Sequence, residues 1–305
     1  MGFGSTIGRA WFTAVLLFIL ALWICGSFTT HVLFRLHLLQ RRRHHDLSIA
    51  IGTLCARLLF MFCPHVCLKY IPSHGKQRWH ELLDASATGA APLLLMNHTS
   101  FLDLFVMCAA ITPSAVLRTH LRCIIAAKLT RLPLLGSALG TWSGNFPAYF
   151  RAEKGGISGG EGSSFATDQT KQAAVAKEID AHVASGGMLG ICPEGTVNAT
   201  PETLLPFRHG AFRVAIEHQM PIFAMITAGC GDCWPKRNVL GGLPATVYVG
   251  EPVHLLTPTA DMDSATVAEE CRRLMQEMSQ SMRDLRQLLP PTAAWPAAAK
   301  SCSNV

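Results

Sequence analysis

The sequence predicts an α/β protein, a mixed central sheet flanked by helices, preceded by an N-terminal membrane-anchoring helical segment. Three observations carry this. Residues 11–34, WFTAVLLFILALWICGSFTTHVLF, contain no Asp, Glu, Lys or Arg. From about Trp79 onward, short apolar runs alternate with longer stretches of helical periodicity. Finally, 50% of the 305 residues are hydrophobic and only 15% are charged, a balance more apolar than an ordinary soluble domain.

Taken in order, the 11–34 run would extend about 36 Å as a helix, enough to cross a bilayer. A cleaved signal peptide is the alternative, since Arg9 gives a positive start, but the run is long and lacks a small-x-small cleavage site. Arg35 and Arg41 to Arg43 outweigh Arg9, which favours a cytosolic location for everything that follows. Residues 47–63, LSIAIGTLCARLLFMFC, are interrupted by Arg57 and suit an interfacial or re-entrant helix. The opening MGFGST fits the pattern for N-myristoylation of Gly2, which a spanning helix makes redundant.

Strands are expected over 92–96, 123–127, 188–192, 222–227 and 246–249, and helices over 101–110, 168–184, 210–218 and 265–288. The Gly/Ser-rich run from Arg151 to Asp168 reads as a surface loop, and PPTAAWPAAAK after Leu289 as a flexible tail. The expected division is a membrane-anchoring region over 1–76, an α/β domain over 77–289 and a tail over 290–305. No internal repeat is evident.

The net charge of +6 suits anionic headgroups or phosphorylated substrates. Nucleic acid is the weaker reading, because three Tyr and no interleaving of aromatics with basic residues give little to stack on bases. Eleven cysteines without framework spacing suit reduced thiols facing the cytosol. Cys63 and Cys67 with Cys230 and Cys233 could supply four zinc ligands, but the pairs are far apart and flanked by apolar sequence, so no metal is expected.

Residues 97–103, NHTSFLD, follow the apolar run PLLLM. On one continuous helix, positions five apart diverge by about 140°, so His98 and Asp103 can meet only if the helix begins between them. Ser100 is a suitable N-cap, with Asp103 at N3 completing a capping box and His98 left in the loop before it. A carboxylate on one imidazole nitrogen fixes the tautomer while the other nitrogen takes a proton, which is general-base chemistry. The structural alternative is that Asp103 only caps a helix and His98 is incidental. Neither Thr99 nor Ser100 lies in a Gly-x-Ser-x-Gly elbow, so a serine nucleophile is not favoured.

Together with residues 190–225, GICPEGTVNATPETLLPFRHGAFRVAIEHQMPIFAM, this stretch resembles the glycerolipid acyltransferase family. Four blocks match in order between about 90 and 250. His98 to Asp103 resembles the catalytic His-x-x-x-x-Asp block, and Gly144 to Arg151 the block whose arginine binds the acceptor phosphate. Pro193-Glu194-Gly195-Thr196 resembles the acceptor-binding block, and Met220-Pro221-Ile222 the proline-centred fourth. Lys128, Pro133, Gly136 and PFRHGAF match between them. Two positions depart: Val197 stands where the family usually has arginine, and the second block is one residue longer.

The resemblance implies that His98 and Asp103 are catalytic and that Arg151, Glu194, Gly195 and Thr196 bind the acceptor. Arg208 could add charge near that crevice or be a solvated loop residue. Arg151 suits phosphate because its planar fork holds two oxygens at once; its alternative is a surface arginine, and that of Glu194-Gly195-Thr196 a tight turn. Lys128, Arg131 and Lys154 are candidates for coenzyme A phosphates on charge and location alone. The implied partners are membrane lipid, acyl-CoA as co-substrate and a lysophospholipid acceptor, with no other cofactor. The implied reaction converts 1-acyl-glycerol 3-phosphate to phosphatidic acid, at the endoplasmic reticulum and facing the cytosol. Glycerol 3-phosphate or another lysophospholipid as acceptor, a His-Asp lipid hydrolase, and an inactive lipid-binding membrane protein are the competing readings.

Overall fold

The computed structural model describes residues 3–71, 77–89, 91–149, 168–238 and 240–288. Arg151, Lys154 and the rest of the Gly/Ser-rich run to 167 lie outside the described residues, as does the tail from 289.

Two long helices open the chain, α1 (Phe3–Arg35) and α2 (Arg41–Phe62). There follow β1 (Val66–Ile71), α3 (Gln77–Ala87), β2 (Leu93–Met96), α4 (Asp103–Ala110), α5 (Pro113–Thr119), β3 (Arg122–Ala126), α6 (Leu135–Leu139) and β4 (Phe146–Ala148). The second half contains α7 (Gln169–Ala184), β5 (Leu189–Ile191), α8 (Gly210–Glu217), β6 (Ile222–Met225), β7 (Thr227–Ala228), α9 (Cys230–Cys233), β8 (Ala245–Gly250), β9 (Val253–Leu256) and α10 (Ser264–Leu288).

The main sheet has the order β4-β3-β5-β2-β6-β9. Its first five strands are parallel and β9 runs antiparallel to β6, so the sheet is mixed as the sequence predicts. β2 is central because all four of its residues, LLLM, are buried. Alternation sends Leu94 and Met96 to the core shared with α1, α2, α4 and α5, and Leu93 and Leu95 to the core shared with α7, α8 and α10. On α10, Val267, Ala268, Cys271, Met275 and Met282 form the buried stripe expected of an amphipathic helix packed on a sheet.

A smaller sheet, β1-β8-β7, was not expected. Its strand β1 lies within residues 1–76 yet pairs in parallel with β8 from Val66↔Ala245 to Ile71↔Gly250. The boundary expected at residue 76 is therefore crossed by sheet hydrogen bonds.

Both α1 and α2 are long and apolar enough to cross a membrane. However, α1 buries a helical stripe of Phe12, Val15, Leu16, Ile19, Trp23, Ser27 and Thr30. Near one end the Phe12 ring meets Trp234, with centroids 6.1 Å apart, and near the other Phe28 meets Trp142 at 5.7 Å. The helix expected to span over 11–34 packs this stripe against the rest of the protein and leaves Trp11, Leu17, Phe18, Leu22 and Val32 exposed. One face is covered by protein and the other is apolar and open.

Candidate active site

β2 and β5 are neighbours in parallel register, Leu95 beside Ile191, so the segments that follow them emerge at the same edge of the sheet. This is the strand-end crevice where parallel sheets gather polar groups. The segment after β2 carries Asn97, His98, Thr99 and Ser100; the segment after β5 carries Cys192, Pro193, Glu194, Gly195 and Thr196. Lys128 and Arg131 follow the next strand over, β3, and both are exposed.

His98 Nδ1 lies 3.2 Å from Asp103 Oδ2. Asp103 is fully buried, while the His98 side chain keeps 23% exposure. Asp103 Oδ2 also accepts the N–H groups of Thr99 at 2.6 Å and Ser100 at 2.8 Å, and Thr227 Oγ1 approaches Oδ1 at 3.5 Å. A carboxylate supplied with this many donors stays oriented without free water. The Cys230 thiol is also hydrogen-bonded to Asp103. Asp103 thus presents one fixed edge to the imidazole, and Nε2 has no hydrogen-bond partner among the described residues.

The helix begins after His98 but later than expected: α4 starts at Asp103 itself, not Phe101, and its N-cap is Leu102 rather than Ser100. Half of the expected capping box is present, since the Asp103 carboxylate reaches back to the Ser100 N–H. The reciprocal bond goes elsewhere, because Ser100 Oγ accepts from the Leu102 N–H at 3.1 Å and donates to the Trp234 carbonyl at 2.7 Å. Ser100 is fully buried and committed to these bonds, which leaves it no role as a nucleophile. The amides of Thr99 and Ser100 are occupied by Asp103 and are not available to a developing oxyanion.

Glu194 is only 2% exposed. Its Oε1 accepts the His98 N–H at 2.9 Å, and its Oε2 accepts Asn198 Nδ2 at 2.9 Å and the Leu205 N–H at 3.0 Å. The Asn198 N–H donates to the His98 carbonyl at 2.6 Å. Glu194, expected to touch the acceptor, here holds His98 by its backbone and ties two loops together. Burial pushes its carboxyl above the ordinary range, opposed by the hydrogen bonds from Leu205, His98 and Asn198.

Gly195 is exposed with φ +69, a conformation that favours glycine. A Cβ there would stand 3.3 Å from Cγ and Nε of Arg208, so that side chain lies across the turn. The Arg208 N–H donates to the Pro193 carbonyl at 2.8 Å, which fixes the contact. Thr196 is half-buried beside it. The structure brings His98, Asp103, Glu194, Gly195, Thr196 and Arg208 to one crevice, and Arg151 lies outside the described residues.

Several residues of the site carried no sequence signal of their own. Asn97 Nδ2 and Oδ1 bond the Thr227 carbonyl and N–H at 2.9 Å each, stitching the end of β2 to the start of β7. The Cys192 thiol is held protonated by burial and by the carboxylates of Asp103 and Glu194, so it is no nucleophile at neutral pH. The cysteines weighed as zinc ligands form no group with metal-ligand spacing among the described residues, and burial pushes the Cys63 and Cys233 thiols up to about 12. Among the described residues, the group with metal-ligand spacing is instead Asp180, Glu217 and His218.

Residues 73–227 match the family described as Acyltransferase, a stretch covering half of the chain, and the chain belongs to that family. Among solved structures it is similar to PlsC of Thermotoga maritima, described as a 1-acyl-sn-glycerophosphate (LPA) acyltransferase, with a TM-score of 0.59 over 92% of this chain and 98% of that one. Identity is 16%, so this likeness is one of fold. No curated protein matches the chain.

Proposed function

We propose that this acyltransferase moves an acyl group from acyl-CoA to the free hydroxyl of a lysophospholipid, with 1-acyl-glycerol 3-phosphate as acceptor and phosphatidic acid as product. The observation that carries the reading is the contact between His98 Nδ1 and the buried Asp103 carboxylate, with Nε2 left to the crevice. With a proton on Nδ1 directed at Asp103, Nε2 is the basic nitrogen. It takes the acceptor's hydroxyl proton as that oxygen attacks the thioester carbonyl. The tetrahedral intermediate then expels the coenzyme A thiolate, which receives the proton from the imidazolium. The C–O bond forms, the C–S bond breaks, and no acyl-enzyme is needed, in keeping with the committed hydroxyl of Ser100 and the protonated thiol of Cys192.

Glu194 serves as a positioning residue for His98. Gly195, Thr196 and Arg208 form the wall of the acceptor site, and Arg151 supplies a fork for the acceptor phosphate. Lys128 and Arg131 are proposed to face the coenzyme A phosphates. The open apolar face of α1 would hold the crevice at a membrane surface where both substrates reside. We place that surface on the cytosolic side of the endoplasmic reticulum by family resemblance.

The test is a radiolabelled acyl-CoA transfer assay with purified full-length protein across a panel of acceptors, run beside His98→Ala and Asp103→Asn. Labelled phosphatidic acid from the parent and its loss in His98→Ala are expected. Undiminished transfer in His98→Ala, or labelled free fatty acid without any acceptor, would overturn the reading.

A further inference from the structure

One peptide unit, Val197–Asn198, joins two groups from distant parts of the chain. Its N–H donates to the His98 carbonyl at 2.6 Å, and its carbonyl accepts from Lys236 Nζ at 2.7 Å. An ammonium is therefore held one peptide plane away from the backbone of the His98 turn. The loop that delivers it is fastened from both directions. Ser100 Oγ donates to the Trp234 carbonyl at 2.7 Å, Trp234 Nε1 donates to the Asn238 carbonyl at 3.2 Å, and the Asn238 N–H closes a turn onto the Pro235 carbonyl at 2.9 Å. The Trp234 ring also lies against Phe101, with centroids 6.0 Å apart.

Lys236 is half-buried, and among the described residues no carboxylate pairs with it. Asp232, the nearest acid in sequence, is taken by Arg286. An ammonium carries three N–H donors, and Val197 occupies one. A partly desolvated cation with two further donors and no counter-ion among the described residues, fixed beside the proposed substrate crevice, has the chemistry of a phosphate-oxygen ligand.

Building on the acyl transfer proposed above, we infer that Lys236 is a specificity-determining residue that binds a phosphate group of the substrate. Phosphate chemistry is present in both substrates, in the acceptor's headgroup and in coenzyme A. The position of Lys236 beside the Glu194–Asn198 turn, across which Arg208 lies, favours the acceptor.

The test measures KM and kcat of Lys236→Gln and Lys236→Arg in the purified full-length enzyme. Acceptors are 1-acyl-glycerol 3-phosphate and the uncharged 1-acyl-glycerol; donors are acyl-CoA and an acyl-pantetheine lacking the nucleotide phosphates. A lost charge-assisted hydrogen bond predicts a rise of about 10- to 100-fold in KM for the phosphorylated acceptor in Lys236→Gln. No change is expected with the uncharged acceptor, and the arginine variant should recover much of the affinity. A KM increase confined to acyl-CoA and absent with acyl-pantetheine would still support phosphate binding and transfer the ligand to coenzyme A. Equal losses with charged and uncharged substrates, or none, would overturn the inference, since they mean only support for Val197 or no role. Should the parent transfer no acyl group, calorimetric binding of glycerol 3-phosphate decides: affinity lowered in Lys236→Gln upholds the phosphate site while the proposed reaction fails, and unchanged affinity overturns both.

Discussion

Glu194 Oε1 accepts the backbone N–H of His98 at 2.9 Å, a bond between residues 96 positions apart that fixes where the imidazole stands. In Glu194→Ala three donors, on His98, Asn198 and Leu205, lose their acceptor. Buried unsatisfied donors cost about 1–3 kcal/mol each before relaxation, so a net stability loss of about 3 kcal/mol is expected from denaturant unfolding. Turnover should fall about 100-fold, with a smaller change in acceptor KM, because the base is misplaced rather than removed. A variant with parental turnover would show that His98 needs no such tether.

Glu194 also has a pH signature. Burial raises its carboxyl above the ordinary value of 4.5 in the folded chain. As pH rises from 4.5, the unfolded chain loses this proton first, so the contribution to stability declines until the folded value is passed and stays level above it. Glu194→Gln does not titrate, and its unfolding free energy should fall less, or rise more, as pH increases through that interval. Parallel profiles for the two proteins would refute the raised value.

Asp103→Asn keeps the size of the side chain but has a single acceptor oxygen to share among the Thr99 and Ser100 amides and the imidazole. Loss of the carboxylate removes both the tautomer lock and the stabilisation of the imidazolium, and a decrease of about 10²- to 10⁴-fold in kcat is expected from initial rates. Unfolding should shift far less than the rate. A decrease below tenfold would reduce Asp103 to a helix cap.

Gly195→Ala places a Cβ on a backbone with φ +69 and 3.3 Å from Arg208. The left-handed conformation costs about 1–2 kcal/mol for a residue with a side chain, and Arg208 must shift as well. Thermal unfolding should record the loss, and acceptor KM should rise because the displaced guanidinium borders the proposed acceptor wall. Unaltered KM would separate Arg208 from acceptor binding.

The two faces of α1 should respond differently to charge. Leu17→Lys and Phe18→Glu, on the open face, are expected to leave folding intact and to weaken sedimentation with phospholipid vesicles, each forfeiting about 1.5–3 kcal/mol of apolar burial. Ile19→Lys, on the covered stripe, should lower the unfolding temperature. Equal vesicle binding by all three variants and the parent would remove α1 from the membrane contact.

Much of this arrangement was legible in the residues. Continuous apolar runs identify β2, β5 and β6, and the angular argument between His98 and Asp103 locates the start of a helix. The small sheet was not, because β1 follows directly on the apolar α2 and its partner β8 is almost 180 residues away. Spacing also says little about where a buried carboxylate points. Glu194 stands in a matching block, yet its three partners are two backbone amides and a side-chain amide, none with a compositional signature. Lys236 was silent for the same reason, since its ligand is a main-chain oxygen contributed by Val197, 39 residues earlier.

Because α1 is fastened to the body near Phe12 and again near Phe28, the crevice cannot change its height relative to that helix. If the open face of α1 is immersed in one monolayer, the reaction centre hovers at a constant elevation above it. Acceptors then enter, and products leave, by sideways diffusion within that leaflet, without being carried to the opposite one.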